Sequence, residues 1–207
     1  MLKNIIFDLG GVIYQLDFPR FNHNLRALQR QAQDTPIYSR LHQPPVFSDY
    51  ERGTIDTPTF RARMRTELNL VATDAEIDQA WNSLLVGVFP DRKQLLSQLK
   101  PHYKLALLSN INDLHLEYVQ RDCGEIFNLF DHCFFSCELG TRKPEPQIFQ
   151  IVLDRMGFLP QETLFIDDSP PNVVGAEKLG IVSICLTDPN QLLAILQQHC
   201  GQILLPS

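Results

Sequence analysis

Residues 3–12 read KNIIFDLGGV, an apolar run that stops at Asp8 and at the adjacent glycines Gly10 and Gly11. A short, continuous apolar run closed by polar residues and glycines is typical of a strand buried on both faces of a sheet. Four similar runs follow, each ending in polar residues: 103–108, 133–135, 163–166 and 181–186. The opening stretch therefore predicts the first of several buried strands, with Asp8 at its carboxyl end.

Helical patterns lie between these runs. Apolar residues within 148–156 share one face and Gly157 follows them, and a similar pattern at 173–179 precedes Gly180. Alternating strands and helices predict an α/β fold, a three-layer arrangement with a Rossmann-like parallel sheet. Such sheets bind ligands beyond the carboxyl ends of their strands, where Asp8 and the later polar residues should meet.

Residues 17–90 break this alternation and read as helical throughout. Thr57-Pro58 looks like a helix cap followed by a first-turn proline, and the segment from Thr73 to Glu76 fits a capping box. This pattern predicts an all-helical cap domain at 17–90, inserted into a core made of residues 1–16 and 91–207.

Composition excludes several classes of function. The chain has 207 residues, 44% hydrophobic and 20% charged, with a formal net charge of −6. Scattered, outnumbered basic residues argue against a nucleic-acid-binding protein, and no apolar stretch is long enough to span a membrane or serve as a signal peptide. We expect a cytoplasmic protein, a monomer or a homodimer, whose five cysteines are free thiols.

Four polar clusters carry the chemistry: Asp8, Ser109-Asn110, Lys143 and Asp167-Asp168. Alone, each has an ordinary structural explanation as a turn, a helix cap or a surface residue. Together they supply what phosphoryl transfer needs: a carboxylate nucleophile, oxygen ligands for a hard cation such as Mg²⁺, and donors for phosphate oxygens. The set predicts an enzyme that acts on a small phosphorylated molecule.

These clusters resemble the four motifs of the haloacid dehalogenase-like superfamily, in the subfamily with a helical cap after the first strand. The motifs stand here as IIFDLGGV at 5–12, LLSN at 107–110, RKPEP at 142–146 and FIDDS at 165–169. The resemblance implies that Asp8 is the nucleophile. It also implies that Ser109, Asn110 and Lys143 bind the phosphoryl group, and that Lys143 is a catalytic residue together with Asp8. Mg²⁺ would be held by Asp8, Asp167, Asp168 and the backbone carbonyl of Gly10.

Gly10 departs from the family pattern, because most of its phosphatases carry a second Asp there as general acid and base. Loss of such a group typically costs about 10²- to 10⁴-fold in rate, least for a leaving group that departs easily. Three interpretations follow: a phosphatase for such esters, similar to bacterial α-glucose-1-phosphate phosphatases; a catalytically impaired binding protein; or a 2-haloacid dehalogenase. The intact pair Asp167-Asp168 disfavours the dehalogenase, since those enzymes do not keep it.

Substrate choice is expected to lie in the cap and its hinge. Tyr14, Arg20, His23 and Arg52 are candidates, although each is also consistent with a surface or packing role. Asp17 follows the first strand closely, so it is a candidate substitute acid; the competing interpretation is a helix cap before Phe18-Pro19.

Overall fold

The computed structural model describes residues 1–31, 37–38 and 43–200. Its strands, in chain order, are β1 (Asn4–Phe7), β2 (Tyr14–Leu16), β3 (Leu85–Val88), β4 (Lys104–Ser109), β5 (His132–Phe135), β6 (Thr163–Asp167) and β7 (Val182–Cys185). Five of them form a parallel sheet in the order β5-β4-β1-β6-β7. The five predicted apolar runs are these five strands, so the α/β fold with a parallel sheet is confirmed.

The helices are α1 (Phe18–Ala27), α2 (Pro45–Glu51), α3 (Thr57–Glu67), α4 (Asp74–Asn82), α5 (Arg92–Leu99), α6 (Asp113–Phe127), α7 (Ser136–Leu139), α8 (Pro146–Met156), α9 (Pro170–Glu177) and α10 (Leu192–Cys200). Helix α8 ends as predicted at Gly157, which takes a left-handed conformation with φ of 67°.

Two cores on opposite faces of the sheet produce the three layers. Ile5 and Phe7 point to one face and pack in a cluster with α5, α6 and α10. Ile6 points to the other face, where α8 and α9 cover it. Because side chains alternate along a strand, this continuous apolar run can fill both cores at once.

A third core holds α1 to α4 together. Its buried residues include Phe21, Phe47, Phe60, Met64 and Trp81. Aromatic rings stack and cross at its centre; the centroids of Phe47 and Trp81, for example, are 4.6 Å apart. The helices of the predicted cap therefore share their own hydrophobic core.

Local structure in the cap differs from the prediction in two places. Strand β3 lies within 17–90 and pairs antiparallel with β2, so a two-stranded ribbon joins the cap to the core. Leu85 begins this strand, in a segment that the sequence predicted to be helical throughout. Asp56 caps α3 one residue before the predicted Thr57, because its side chain accepts the backbone N–H of Thr59. The Thr73–Glu76 capping box is confirmed.

Two further expectations concern the chain as a whole. In the described part of the chain, none of the helices combines the length and apolar character that crossing a membrane requires. The five cysteines are all free, as expected.

Candidate active site

Three neighbouring strands bring the predicted residues to one edge of the sheet. Strand β1 lies between β4 and β6, with Phe7 opposite Leu107 on one side and Ile166 on the other. Asp8 follows β1 directly, and its backbone N–H donates to the carbonyl of Ile166 over 2.9 Å. Equal registers align the carboxyl ends of the strands, so the side chains that follow them meet.

Lys143 lies at the centre of these contacts. Its ammonium Nζ lies 2.7 Å from Asp8 Oδ1 and 2.7 Å from Asp167 Oδ2, and it donates to the carbonyl of Leu108 over 2.8 Å. The residue is 1% exposed. An ammonium has three donors, and here each has an acceptor, so the side chain is fixed in one position.

The side chains of Asn110 and Asp167 hold Lys143 in place. The Asn110 amide accepts from the backbone N–H of Lys143 over 2.8 Å and donates to its carbonyl over 2.9 Å. Asp167 is wholly buried and also accepts from the N–H of Ser169 and the amide of Asn172. The predicted substrate-binding residue Asn110 thus uses its amide on the backbone of Lys143.

Three buried carboxylates face one another here. Oxygen atoms of Asp8, Asp167 and Asp168 lie within 4.8 Å of one another. Burial raises the pKa of Asp8 to about 8; Lys143 opposes this shift, and the two other carboxylates add to it. Burial alone would lower the pKa of Lys143, but Asp167 and Asp8 outweigh it and the pKa lies above its ordinary value. The cluster strongly favours an added positive charge.

The loop after β1 brings its backbone against this cluster. Gly11 has a φ of +78°, and a Cβ on it would lie 2.1 Å from Asp168 Oδ2, so only glycine fits. A Cβ on Gly10 would instead lie 2.8 Å from Leu16 Cδ1. The space beside the position of the family's missing acid is therefore occupied by an apolar side chain from β2.

A cavity of about 340 Å³ separates this cluster from the cap. Asp8, Lys143 and Asp168 line one part of it, here called the floor, and Gln43, Ser48, Glu51 and Arg142 also line it and are here called the polar wall. Arg142 Nη2 lies 2.9 Å from Glu51 Oε2 and donates to the side-chain oxygen of Gln43 over 2.9 Å, while Nη1 donates to Ser48. The cavity has a carboxylate-rich floor and a polar wall.

Comparison with known proteins agrees with this geometry. Residues 2–180 match the family described as haloacid dehalogenase-like hydrolase. The chain belongs to this family. One relative is a D-ribitol-5-phosphate phosphatase from Bacteroides thetaiotaomicron, which is 30% identical over 188 residues, covering 87% of this chain and 89% of the relative. Another is the (S)-2-haloacid dehalogenase 4A of Burkholderia cepacia, 27% identical over 157 residues, covering 75% of this chain and 65% of that protein.

A solved structure is similar along most of this hydrolase. It is a haloacid dehalogenase family enzyme from Bacteroides thetaiotaomicron in complex with magnesium and inorganic phosphate. The TM-score is 0.77 at 34% identity, covering 89% of this chain and 94% of that chain. The predicted superfamily and the predicted fold class are therefore confirmed.

None of the four predicted specificity residues Tyr14, Arg20, His23 and Arg52 lines the cavity that contains Asp8. The Tyr14 hydroxyl donates to Asp122 over 2.5 Å, and the Arg20 guanidinium donates to the carbonyls of Ser83 and Leu85. His23 is exposed on α1.

Arg52 and Asp17 also have structural partners. Arg52 donates through Nε and Nη2 to Glu145, which ties the cap to the core. Asp17 is the N-cap of α1, where it accepts the N–H of Arg20 over 2.9 Å. The contacts of Asp17 therefore agree with a helix cap, and none of them supports a role as a substitute acid.

The polar wall itself was missed at the level of the sequence. Glu51 follows Phe47 by four residues on α2, so it lies on the helix face that is buried, and it is only 6% exposed. A carboxylate at a position of apolar periodicity is the signal that would have found it, because an unpaired buried charge is costly.

Proposed function

We propose that this hydrolase is a Mg²⁺-dependent phosphatase that hydrolyses a small phosphomonoester through an aspartyl-phosphate on Asp8. The observation that carries the proposal is the buried cluster of Asp8, Lys143, Asp167 and Asp168, of which Asp8, Lys143 and Asp168 line a cavity. A phosphatase among the relatives and a magnesium and phosphate complex among the similar structures support it.

The donor set fits a magnesium ion. The carboxylates of Asp8, Asp167 and Asp168, with oxygen atoms within 4.8 Å of one another, are oxygen ligands of the kind that Mg²⁺ prefers. Asp8, Asp168 and the Gly10 carbonyl line or adjoin the cavity and would hold the ion, with Asp167 beside them. When bound, Mg²⁺ neutralises charge on the phosphate and its nucleophile. Asp167 already accepts three kinds of donor, so its main part is to position Lys143.

The reaction has two chemical steps, in which Asp8, Lys143 and Ser109 have different roles. A carboxylate oxygen of Asp8 attacks phosphorus while the bond to the ester oxygen breaks, and water then attacks phosphorus to release inorganic phosphate and regenerate Asp8. Lys143 offsets negative charge at the nucleophile. Ser109, buried at the end of β4, offers its hydroxyl to a phosphate oxygen.

Position 10 supplies no proton to the leaving group. Gly10 has no side chain, and Leu16 fills the adjacent space. The preferred substrate should therefore have a leaving oxygen that departs readily without protonation. An anomeric oxygen meets this requirement, so sugar 1-phosphates are the first class to test.

The test is phosphate release from sugar 1-phosphates, sugar 6-phosphates, polyol phosphates and p-nitrophenyl phosphate, with and without Mg²⁺. Asp8→Asn should abolish Mg²⁺-dependent release. Asp154→Asn, the same change at a residue on α8 whose side chain accepts from Gln150, should leave it unchanged.

Each outcome bears on an alternative. Absence of turnover in the wild type, with Mg²⁺ or phosphate still bound, would contradict the proposal and favour an impaired binding protein. Metal-independent release of halide from 2-haloacids would favour a dehalogenase instead.

A further inference from the structure

The polar wall of the cavity contains buried polar atoms that lack hydrogen-bond partners. They are Gln43 Nε2, Glu51 Oε2 and Arg142 Nε, each inaccessible to solvent. Gln43 Oε1 and the two Nη atoms of Arg142 take part in hydrogen bonds within the wall. The ion pair of Arg142 with Glu51, 2.9 Å long, is not directed well enough to be a hydrogen bond.

The charges of Glu51 and Arg142 offset one another, but the hydrogen-bonding capacity of the two side chains is not used up. Both residues line the cavity that contains Asp8. A carboxylate accepts hydrogen bonds, a guanidinium donates them and a hydroxyl does both, so a single hydroxyl can engage Glu51 and Arg142 together.

We propose that this wall is a leaving-group subsite that binds a hydroxyl of a sugar or polyol phosphate. The hydroxyl donates to the carboxylate of Glu51 and accepts from the guanidinium of Arg142. This inference rests on the proposed phosphatase function, and it adds the chemical class of the substrate and the residues that select it.

Glu51 is held firmly enough for this task. Its backbone carbonyl accepts from the Ser136 hydroxyl of the core over 2.6 Å. Two residues later, a Cβ on Gly53 would lie 2.3 Å from the carbonyl of Cys137, so the cap backbone packs directly on the core. Between them, Arg52 pairs with Glu145 over 2.6 Å. These contacts fix the distance between the carboxylate of Glu51 and the floor of the cavity.

The test compares a hydroxylated substrate with one that has no hydroxyl. For Glu51→Ala, kcat/KM should fall about 10- to 100-fold on the best sugar or polyol phosphate, as expected for a lost hydrogen bond to a charged group. On p-nitrophenyl phosphate, kcat/KM should stay within about twofold, because that ester does not use the subsite. Asp49→Asn removes one charge from the same helix without touching the cavity and should change neither value.

A second measurement compares deoxy analogues of the best substrate, first with the wild type and then with Glu51→Ala. Removing one hydroxyl at a time from the best substrate should identify a deoxy analogue that the wild type hydrolyses about 10-fold or more less efficiently. Glu51→Ala should not distinguish that analogue from its parent, since the two changes remove the same contact.

The results separate this proposal from the phosphatase proposal. Turnover of p-nitrophenyl phosphate by the wild type tests the phosphatase alone. If that turnover occurs and Glu51→Ala lowers both substrates equally, or neither, the subsite is refuted. The same conclusion follows if every deoxy analogue is hydrolysed as well as its parent.

Discussion

Replacement of Lys143 by Met tests the central charge arrangement. Methionine keeps most of the length of the side chain and removes its charge. Asp8, Asp167 and the carbonyl of Leu108 would each lose a donor at 2.7 to 2.8 Å in a site that is 1% exposed. Removal of one partner from a buried ion pair typically costs about 3–5 kcal/mol, so we expect a loss of that size at pH 7 without Mg²⁺.

The loss should depend on pH in a defined direction. The folded pKa of Asp8, about 8, lies above its ordinary value of 3.8, so between these values the native state holds a proton that the unfolded state has lost. This group therefore lowers stability as pH rises from about 4 to about 8. Lys143 opposes the shift, so without it the native state keeps the proton to higher pH. Above pH 8 the gap between wild type and variant should widen by up to about 1.4 kcal/mol per pH unit.

The assay is urea unfolding followed by circular dichroism at pH 7, 8 and 9. Lys104→Met is the control, because Lys104 pairs with Asp131 at the surface and its side chain is 69% exposed. Its free energy of unfolding should stay within about 0.5 kcal/mol of the wild type. A Lys143→Met variant as stable as the control, or a gap that does not change with pH, would refute the reasoning.

Three other results are expected. Because Asp8 holds a proton below pH 8, Mg²⁺ must displace that proton, and the affinity for Mg²⁺ should rise about tenfold per pH unit up to pH 8. Calorimetry in buffers of different ionisation heat would detect the released proton. An affinity for Mg²⁺ that does not change with pH would contradict this expectation. Gly11→Ala should destabilise the protein by about 2 kcal/mol or more and weaken Mg²⁺ binding, since its Cβ meets Asp168. Gly140→Ala, at a similar φ but in open space, should lower the free energy of unfolding in urea by less and should leave Mg²⁺ binding unchanged. Burial lowers the pKa of His115 to about 4, so acidification from pH 6.5 should remove about 3 kcal/mol of stability; His115→Gln should unfold with a flatter pH profile.

Much of the candidate site was predictable because several of its residues directly follow an apolar run. Asp8, Ser109 and Asp167 stand next to apolar runs, and parallel strands of equal register bring such positions together without further information. The role of Asn110 was less accessible. Its amide reaches the backbone of Lys143, 33 residues further on, and that contact depends on how two loops cross.

The helices of the cap were predictable from the sequence, but the residues that the cap presents to the cavity were not. Helix propensity and capping located α3 and α4 to within a residue or two. Strand β3 was missed because it is four residues long and contains Gly87. Gln43, Glu51 and Arg142 meet only after the cap has docked on the core, so no local periodicity predicts their convergence.

Gly10 and the polar wall have a common consequence for specificity. Leu16 lies where a side chain at position 10 would need space, so the reaction loses an acid and gains no polar substitute at that point. Binding energy from parts of a substrate remote from the reacting bond accelerates the chemical step only when it is expressed in the transition state. Glu51 and Arg142 line the same cavity as Asp8, where they can hold the leaving group in line for attack. An ester with a good leaving oxygen but no hydroxyl should therefore gain nothing from the wall. A hydroxylated ester with a poor leaving oxygen should bind well and react slowly, with low KM and low kcat. Only a substrate with both features should be hydrolysed efficiently, which makes the kcat and KM of matched ester pairs more informative than affinity alone.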